Sequence, residues 1–374
     1  MKYISIIDNN LKGHIFRDDE YHLNIMARTE KNIEIYLHNE PHKILKEKYK
    51  TSGNLAFLNQ IESKKFISKL IFFYNLKVNK NETVIFNGFS ELDLLLFCSL
   101  NYFSKPKLTL LPTNNFSLLR FNKYKIFLPL IYFLIGPFLR KVVFGSEGER
   151  SFFHKKLPFL KNIIFLNRNV YQIVKDNRKI GSKIKLTESN HALNLLFVGP
   201  VKADKPLKPI IDMIAEFRGE VFDFYFLHLD NELELIKRKF PQLKNLHSCT
   251  PLLSSYKNNE KIDNEAYLSI ISSCDLIFLN HDRNFQYKLS GVLMDALACG
   301  VPFITNNIKP ATEYLDKFQD LGIIVDFSDP EWPISLREKI NLFKFNEFRV
   351  SSEAFHREYN DEYVLNSMIK ILED

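Results

Sequence analysis

Cysteine and glycine are both scarce in this chain of 374 residues, which has four cysteines and 12 glycines. The cysteines are widely spaced and lie in apolar settings, at Cys98, Cys249, Cys274 and Cys299. This spacing excludes a disulfide framework and a cysteine-rich metal site, and it favours reduced, buried thiols in a cytoplasmic protein. Low-complexity tracts and internal repeats are also missing. With 45% apolar residues, the length predicts two ordinary domains, each with its own core.

Long hydrophobic runs are absent too, because no apolar run reaches the ~20 residues that a membrane-spanning helix needs. Residues 126–138 (IFLPLIYFLIGPF) are nearly all apolar, but they include Pro129 and Pro137, which disfavour one long helix. Basic residues flank the segment at Lys123, Lys125, Arg140 and Lys141. We therefore leave two interpretations open, a helix buried in the core and a segment that docks on anionic lipid.

Acidic residues are few in the first half of the chain. Residues 1–190 carry a net charge of +15 from 31 basic and 16 acidic residues, whereas residues 191–374 carry −8 from 20 and 28. Most of the excess lies in residues 101–187, with 17 basic and 3 acidic residues. Such a region attracts an anionic partner, either membrane lipid, nucleic acid or an acidic polymer, unless it is merely a solvated basic surface.

Short apolar runs alternate with helical periodicity along the chain, which predicts an α/β fold with parallel sheets. In the first half we predict strands at residues 3–8, 33–37, 83–86, 108–111, 142–146 and 163–166. Residues 9–19 are predicted to be a polar loop, and Glu91–Leu100 a helix capped by Ser90.

A polar segment without periodicity, residues 181–190, is predicted to link two domains, 1–185 and 191–374. The second domain begins a new alternation, with strands at 195–198 and 222–227 and a helix from Leu207 to Phe217. Residues 355–372 are predicted to form one helix that can pack back across the domains.

The most informative segment, residues 267–304, predicts a helix, a strand, a loop, a second helix and a second strand in that order. The first strand is the apolar run 276–279. Ser290 and Gly291 open the second helix and Gly300 ends it. A turn of small residues at a helix start, just after a strand, favours anion binding through free backbone N–H groups and the helix dipole.

The same segment resembles the donor-binding core of GT-B glycosyltransferases of the family 4-like, or group 1-like, class. The resemblance is carried by Asp275 before the apolar strand, by Ser290-Gly291, and by Asp295 followed by Ala-x-Ala-x-Gly and Val301-Pro302. The family often has two glutamates separated by seven residues, where this chain has Tyr287 and Asp295. The chain fits a subgroup with Tyr-x-x-Ser-Gly, which leaves inverting and retaining chemistry both open.

The resemblance implies two Rossmann-like domains that face each other across a cleft, with the donor held by the second. Its strand-end loop, Gly-x-x-Arg/Lys-x-x-Lys, is matched by Gly199, Lys202 and Lys205, whose cations would neutralise the donor diphosphate. Ser290 and Gly291 would contact phosphate, although Ser290 can equally be an ordinary helix cap. Asp295 would bind the ribose hydroxyls, the alternative being a surface acid. Tyr287 would contact the donor or pack in its loop.

His281 follows a strand end, where ligands bind in α/β folds, and would contact the transferred sugar or lie in a solvent-facing turn. In the first domain, Gly13-His14 matches a Gly-His common in related transferases. His14, or Asp18 or Asp19 after it, would be the base that deprotonates the acceptor hydroxyl, with Lys205 as the catalytic cation. Glu91 and Asp93 are weaker candidates of the same kind.

The leading hypothesis is a glycosyltransferase that moves a sugar from a nucleotide-sugar donor to a saccharide, lipid-linked acceptor in the synthesis of bacterial capsule, O-antigen or lipooligosaccharide. We expect no metal or other cofactor, no nucleic-acid partner, and a cytoplasmic protein peripheral on the inner face of the membrane. The alternatives are another GT-B enzyme, such as a sugar-nucleotide epimerase or a phosphorylase, and a non-catalytic sugar-nucleotide-binding subunit. A nicotinamide-dependent enzyme is disfavoured because no Gly-x-Gly-x-x-Gly follows either first strand.

Overall fold

The structure is a computed structural model of the whole chain. It describes residues 1–5, 14–58, 66–111, 128–144, 146–160, 164–167, 192–199, 201–203, 205–218, 221–249, 264–282, 286–287 and 290–373. It describes the backbone alone for residues 14–18, 21, 39, 40, 128, 164–167, 264 and 265.

The chain divides into two compact units, residues 1–171 with 362–374, and residues 172–361. In the described part of the first unit, seven parallel strands form one sheet in the order β3-β2-β1-β4-β5-β6-β7. They are β1 (Lys2–Ser5), β2 (Ile33–Leu37), β3 (Leu55–Phe57), β4 (Thr83–Asn87), β5 (Lys107–Leu111), β6 (Leu139–Phe144) and β7 (Ile164–Asn167). Parallel strands need cover on both faces, so two apolar cores are expected.

Helices cover both faces of this sheet. They are α1 (His14–Met26), α2 (Asn39–Lys48), α3 (Phe66–Asn75), α4 (Glu91–Leu100), α5 (Leu128–Ile135) and α6 (Glu147–Lys156). One core joins the sheet to α3, α4, α5 and α6 through residues such as Phe73, Phe97, Tyr132 and Phe153. The other joins it to α1 and α2. The predicted Ser90 cap is confirmed, since its hydroxyl accepts a hydrogen bond from the Asp93 backbone N–H.

The prediction of a loop over residues 9–19 is wrong from His14 onward, where α1 begins. The inner face of this helix consists of Asp19, His22, Leu23 and Met26, which are all buried. These positions follow helical spacing, but two of them are polar, so no apolar periodicity marks the helix in the sequence. Residues 6–13, including Gly13, lie outside the described residues.

The apolar segment 126–138 is neither fully buried nor a single helix. It contains α5 and a short 3-10 helix, Gly136–Phe138, as the two prolines predict. Tyr132 and Ile135 lie in the core, whereas Leu130, Phe133 and Leu134 are exposed. Among the described helices, none is long and apolar enough to cross a membrane.

In the second unit, six parallel strands within the described ranges form a sheet in the order β10-β9-β8-β11-β12-β13. The strands are β8 (Leu193–Val198), β9 (Phe222–Leu227), β10 (Leu246–Ser248), β11 (Leu276–Leu279), β12 (Phe303–Asn306) and β13 (Gly322–Val325). The helices are α7 (Lys208–Phe217), α8 (Asp230–Lys239), α9 (Asn264–Ser272), α10 (Gly291–Cys299), α11 (Lys309–Lys317), α12 (Trp332–Leu342) and α13 (Phe345–Glu358). The predicted alternation of strands and helices is therefore confirmed in both units. The predicted linker, residues 181–190, lies outside the described residues, and the domain boundaries stay a prediction.

The predicted single helix over residues 355–372 is wrong, because it is two helices, α13 and α14 (Asp361–Leu372). Tyr359 ends α13 and packs its ring against Phe355 and Phe318, at centroid distances of 5.0 and 5.9 Å. Helix α14 packs in the core that also holds α1 and α2. Its last carbonyl groups accept hydrogen bonds from the buried Lys141 ammonium, at 2.8 Å for the Lys370 oxygen. A cation at a helix C-terminus is favourable for the helix dipole.

We predict that Gly322→Ala destabilises the second unit. A Cβ atom at this position of β13 would lie 2.5 Å from the Phe303 carbonyl oxygen of the paired strand β12, so the backbone must shift. Overpacking of this kind costs about 1–3 kcal/mol of unfolding free energy. Urea denaturation measures it. Gly53→Ala, where nothing lies within 4 Å of the added atom, is the control. Equal midpoints for the two variants would contradict the prediction.

Candidate functional site

The strand order of the second unit reverses between β8 and β11. β9 and β10 lie on one side of this pair, and β12 and β13 lie on the other. The chain leaves the carboxyl ends of β8 and β11 in opposite directions, and such a reversal opens the crevice in which α/β sheets bind ligands. Two predicted segments, residues 199–205 and 280–282, follow these two strands directly.

The first segment turns sharply at Gly199, whose φ of +85° lies in the left-handed region that favours glycine. The Gly199 N–H donates a hydrogen bond of 3.0 Å to the carbonyl oxygen of Leu227, at the end of the neighbouring strand β9. Nothing lies within 4 Å of the position that a Cβ atom would take on Gly199. The backbone at this turn is therefore open to close approach by a ligand.

Lys202 and Lys205 are paired by the fold of the same segment. The Lys202 N–H donates to the Lys205 carbonyl oxygen at 3.1 Å, and the Lys205 N–H donates back at 3.0 Å. Residues that exchange two backbone hydrogen bonds have Cα atoms about 5.5 Å apart. Lys202 is exposed and Lys205 is half-buried. One short turn thus brings two cationic residues together just beyond a buried strand, where they can stabilise negative charge on an oxygen.

Asn280 joins the two segments. Its side-chain amide donates a hydrogen bond of 3.0 Å to the carbonyl oxygen of Pro206, which follows Lys205. His281 comes next and is completely buried, at 0% exposure. Its backbone N–H donates a hydrogen bond of 2.8 Å to the carbonyl oxygen of Leu279. The solvent-facing alternative for His281 is therefore wrong, and its contact with the transferred sugar stays a prediction. Asp282 is half-buried.

Helix α10 begins at the predicted position. The Ser290 hydroxyl accepts a hydrogen bond of 3.3 Å from the Leu293 N–H, so Ser290 is an N-cap, and Gly291 is the first helical residue. Residues 292–298 are all buried, which fixes this helix against the sheet. The backbone N–H groups of its first turn and its dipole favour an anion there. A cap and a phosphate contact are compatible roles for Ser290, and the phosphate contact stays a prediction.

Asp295 is 1% exposed, so the alternative of a surface acid is wrong. Its Oδ2 atom accepts a hydrogen bond of 3.0 Å from the hydroxyl group of Tyr267, on the neighbouring helix α9. A buried carboxylate needs such partners because removal from water costs free energy. The ribose contact implied by the resemblance is not tested by this geometry and stays a prediction.

The segment before α10 is held beside the start of α11. The backbone N–H of Lys309 donates a hydrogen bond of 2.9 Å to the carbonyl oxygen of Gln286. Tyr287, the next residue, is half-buried. Its predicted contact with the donor and the alternative of packing in the loop therefore both stay open.

The four cysteines are free thiols, and Cys98, Cys249 and Cys274 are buried while Cys299 is half-buried. Burial raises the pKa of the Cys249 and Cys299 thiols to about 12. Both thiols are therefore protonated at neutral pH and are poor nucleophiles. The prediction of buried thiols is confirmed for Cys98, Cys249 and Cys274, whereas Cys299 is less buried than expected.

In the first unit, α1 places His14 and Asp18 in its first two turns, and the structure does not describe their side chains. It does describe Asp19, which is buried. The Asp19 carboxylate accepts hydrogen bonds from the Tyr3 hydroxyl at 2.8 Å and from the Asn87 side-chain amide at 2.7 Å. His22 Nδ1 lies 3.2 Å from the same hydroxyl. This cluster sits where β1 and β4 meet, the point at which the strand order of the first sheet reverses.

Asp93 is already engaged by α4. It completes the capping box with Ser90, and its carboxylate accepts a hydrogen bond of 2.8 Å from the Lys69 ammonium. Glu91 is buried in the first turn of the same helix. These contacts assign Asp93 a structural role, which weakens its candidacy as a base.

A histidine near Gly199 was missed by the sequence analysis. His228 follows β9 with a φ of +61°, a left-handed conformation that is uncommon for residues other than glycine. Burial lowers the pKa of its imidazole. No sequence signal marks it, because a histidine does not indicate a left-handed turn as glycine does. Strained residues of this kind gather at ligand sites, and this one neighbours the Gly199 turn.

Several solved structures are similar to this chain over its whole length. One of them is Anabaena Alr3699/HepE in complex with UDP-glucose, with a TM-score of 0.67, 13% identity, and 100% of this chain and 99% of that chain covered. A second is a glycosyltransferase from Rickettsia africae ESF-5, with a TM-score of 0.63, 14% identity and coverage of 100% and 99%. A third is the apo form of the lipopolysaccharide outer core galactosyltransferase WaaB, with a TM-score of 0.64, 12% identity and coverage of 100% and 99%.

Comparisons of sequence add nothing to this result, since no protein-family model and no curated protein matches the chain. Identities of 11–14% show a shared fold and no more. The two parallel sheets with flanking helices, and the likeness over full length, nevertheless agree with the architecture that the 267–304 segment implied. The chain has the GT-B fold, with two Rossmann-like domains.

Proposed function

We propose that this protein is a glycosyltransferase that transfers a sugar from a nucleotide-sugar donor to a saccharide acceptor. The observation that carries the proposal is the convergence at the reversal between β8 and β11. Three features lie at the carboxyl ends of the strands of the second sheet. They are the paired Lys202 and Lys205, the open turn at Gly199, and the N-terminus of the buried helix α10. Cations and free N–H groups are the groups that bind a diphosphate.

The solved neighbours support a nucleotide-sugar donor. Anabaena Alr3699/HepE was solved with UDP-glucose, with UDP, and with UDP and glucose. We infer that the second unit of this chain takes the same class of ligand, through Gly199, Lys202, Lys205, Ser290 and Gly291. His281 and Tyr287 would contact the sugar side of the donor, and Asp295 the ribose.

In the proposed reaction, a nucleoside diphosphate is the leaving group. As the glycosidic bond to phosphate breaks, negative charge grows on the leaving oxygen, and fixed cations that meet this charge lower the barrier. Lys205 would supply that charge. In the first unit, His14 or Asp18 would take the proton of the acceptor hydroxyl if the reaction inverts configuration.

The acceptor we propose is a lipid-linked saccharide, in the synthesis of capsule, lipopolysaccharide or lipooligosaccharide. This part rests on the charge asymmetry of the chain, +15 against −8 in its two halves, which favours a cytoplasmic protein peripheral on an anionic membrane. Two neighbours named for lipopolysaccharide synthesis, WaaB and WaaG, support the same pathway class.

A non-catalytic subunit that binds a sugar nucleotide is the second candidate. Tyr287 stands where the related transferases often have their first glutamate, so one of the usual acidic groups is replaced. A GT-B epimerase or phosphorylase would use the same site at the reversal between β8 and β11, without a lipid-linked acceptor. Donor hydrolysis or transfer separates an enzyme from a binding subunit.

A thermal-shift screen with nucleotide sugars tests the proposal. A ligand that binds only the folded state increases the free energy of unfolding, by about 2.7 kcal/mol at a ligand concentration of a hundred times the dissociation constant. The melting temperature rises as a result. We expect a shift with one nucleotide sugar and with its free nucleoside diphosphate. Absence of a shift across uridine, guanosine, adenosine, cytidine and thymidine diphosphate sugars would reject the donor site.

We predict that Asp295→Asn weakens nucleoside diphosphate binding while the fold survives. The amide keeps an oxygen for the Tyr267 hydroxyl but loses the charge that would hold ribose hydroxyl groups. A charge-assisted hydrogen bond of about 1.5–3 kcal/mol corresponds to a loss of roughly tenfold to a hundredfold in affinity, measured by calorimetry. Asp316→Asn, a change at an exposed acid of α11, is the control. Wild-type affinity in Asp295→Asn would limit Asp295 to packing α10 against α9.

We predict that Lys205→Ala lowers turnover tenfold or more, since each factor of ten corresponds to about 1.36 kcal/mol of barrier. Lys205 is half-buried at the sheet edge, whereas Lys208 is exposed on α7 and pairs with Asp212 at 2.6 Å. Lys208→Ala is therefore the matched control. Initial rates of donor consumption and thermal melts are measured for both variants. Equal turnover in the two variants would remove Lys205 from the reaction.

A further inference from the structure

The helices on one face of the first sheet carry many exposed apolar side chains. On α3 these include Ile67, Ile71 and Tyr74, which recur at positions i, i+4 and i+7 and so form one stripe. The opposite side of the same helix buries Phe73 in the core. Helix α3 is therefore apolar on two sides, although one apolar side is enough to cover a sheet.

Helix α5 repeats this arrangement. Leu130, Phe133 and Leu134 are exposed, at positions i, i+3 and i+4, while Tyr132 and Ile135 lie in the core. Phe133 also contacts the ring of Phe159, which is exposed too, at a centroid distance of 5.9 Å. The outward stripe of α5 thus extends beyond the helix itself.

Helix α4 lies between the other two and packs against both. Its first turn exposes Leu92, and the turn after the helix exposes Tyr102 and Phe103, the latter at 91%. We call the outer surface of α3, α4 and α5 the apolar helical face. Its exposed apolar residues are Phe66, Ile67, Ile71, Tyr74, Leu92, Leu100, Tyr102, Phe103, Leu130, Phe133 and Leu134. Contiguous apolar patches of more than a few hundred Å² mark interaction sites.

The exposed charged residues in this part of the chain have one sign. Among the described residues from 66 to 160, every aspartate and glutamate is buried or half-buried, and Glu147, whose side chain is 41% exposed, pairs with Arg150. The exposed charged residues in the same range are all basic: Lys77, Lys80, Lys105, Arg140, Lys155 and Lys156. A surface that joins apolar side chains to unopposed cations is complementary to an apolar layer with anionic groups at its boundary.

We propose that the apolar helical face docks this protein on an anionic lipid bilayer. The proposal deepens the membrane part of the proposed function and does not depend on the transfer chemistry. The helices would lie in the plane of the interface, with Ile71, Leu92 and Phe133 among the acyl chains and the lysines at the headgroups. A second copy of this chain is a poorer occupant, because a twofold contact through this face would bring like charges together.

The test uses the full chain and vesicle co-sedimentation, with vesicles of phosphatidylcholine alone or mixed with phosphatidylglycerol. The triple variant Ile71→Ser, Leu92→Ser, Phe133→Ser removes one apolar side chain from each helix of the face. The matched control, Leu235→Ser, Ile334→Ser, Val350→Ser, removes three from the second unit. The exposed fractions match, at 55, 65 and 63% against 56, 53 and 65%. Because these side chains are exposed, both variants should melt like the wild type.

We expect the wild type and the control to bind mixed vesicles. The affinity of the face variant for these vesicles should be lower by roughly tenfold or more. A second variant, Lys105→Glu, Lys155→Glu, Lys156→Glu, should lose the preference for anionic lipid and the sensitivity to salt. Nucleoside diphosphate affinity, measured in parallel, should stay at the wild-type value in every variant. A loss there concerns the donor site and leaves docking to be judged from the vesicles.

Two outcomes would overturn the proposal. The first is equal vesicle binding by the face variant and its control, and the second is no vesicle binding by the wild type at low salt. In the second case, a wild-type dimer in light scattering that the face variant converts to a monomer would assign the face to a subunit contact.

Discussion

The hydrogen bond from the Asn280 amide to the Pro206 carbonyl oxygen, at 3.0 Å, joins the two segments that leave the reversal point of the second sheet. Parallel pairing alone places β8 beside β11, but it does not fix the path of the chain beyond either strand. The Asn280 contact, together with the two Lys202–Lys205 backbone bonds, holds the basic turn against the segment that leads to Ser290 and α10. Because both cations belong to this turn, any ligand held by them must meet the same edge of the sheet.

Each unit buries a hydrogen-bonded carboxylate. In the first unit, Asp19 lies at the reversal point and accepts hydrogen bonds from Tyr3 and Asn87, and in the second unit Asp295 on α10 accepts one from Tyr267 on α9. A carboxylate in such a position is unfavourable for folding unless its partners are in place. Apolar residues would fill the same volume at less risk to stability. The buried Asp19 at the reversal point of the first sheet is therefore a physical reason for placing function at that edge.

Sequence patterns predicted the elements whose signals are local. Ser290 before an apolar run and Gly300 after it define α10, and the capping residue Ser90 defines α4, so both helices begin where predicted. The patterns failed for α1, because Asp19 and His22 occupy its buried face and disguise the periodicity. They left the burial of Asp295 open between two alternatives, since its partner Tyr267 lies 28 residues earlier on another helix. Contacts between distant residues, and the left-handed turn at His228, become visible only when the chain is folded.

The exposed stripes on α3 and α5 are not needed for folding. A parallel sheet is stabilised by helices with one apolar side, and Phe73, Phe97 and Tyr132 already supply that side. The second apolar side gains nothing in water, and it favours aggregation unless something covers it. The neighbouring charge supports the same conclusion, because carboxylates are absent from the exposed described residues of this region while lysines are frequent. A surface with no role would be expected to carry both signs, so the composition indicates an anionic, apolar environment for this face.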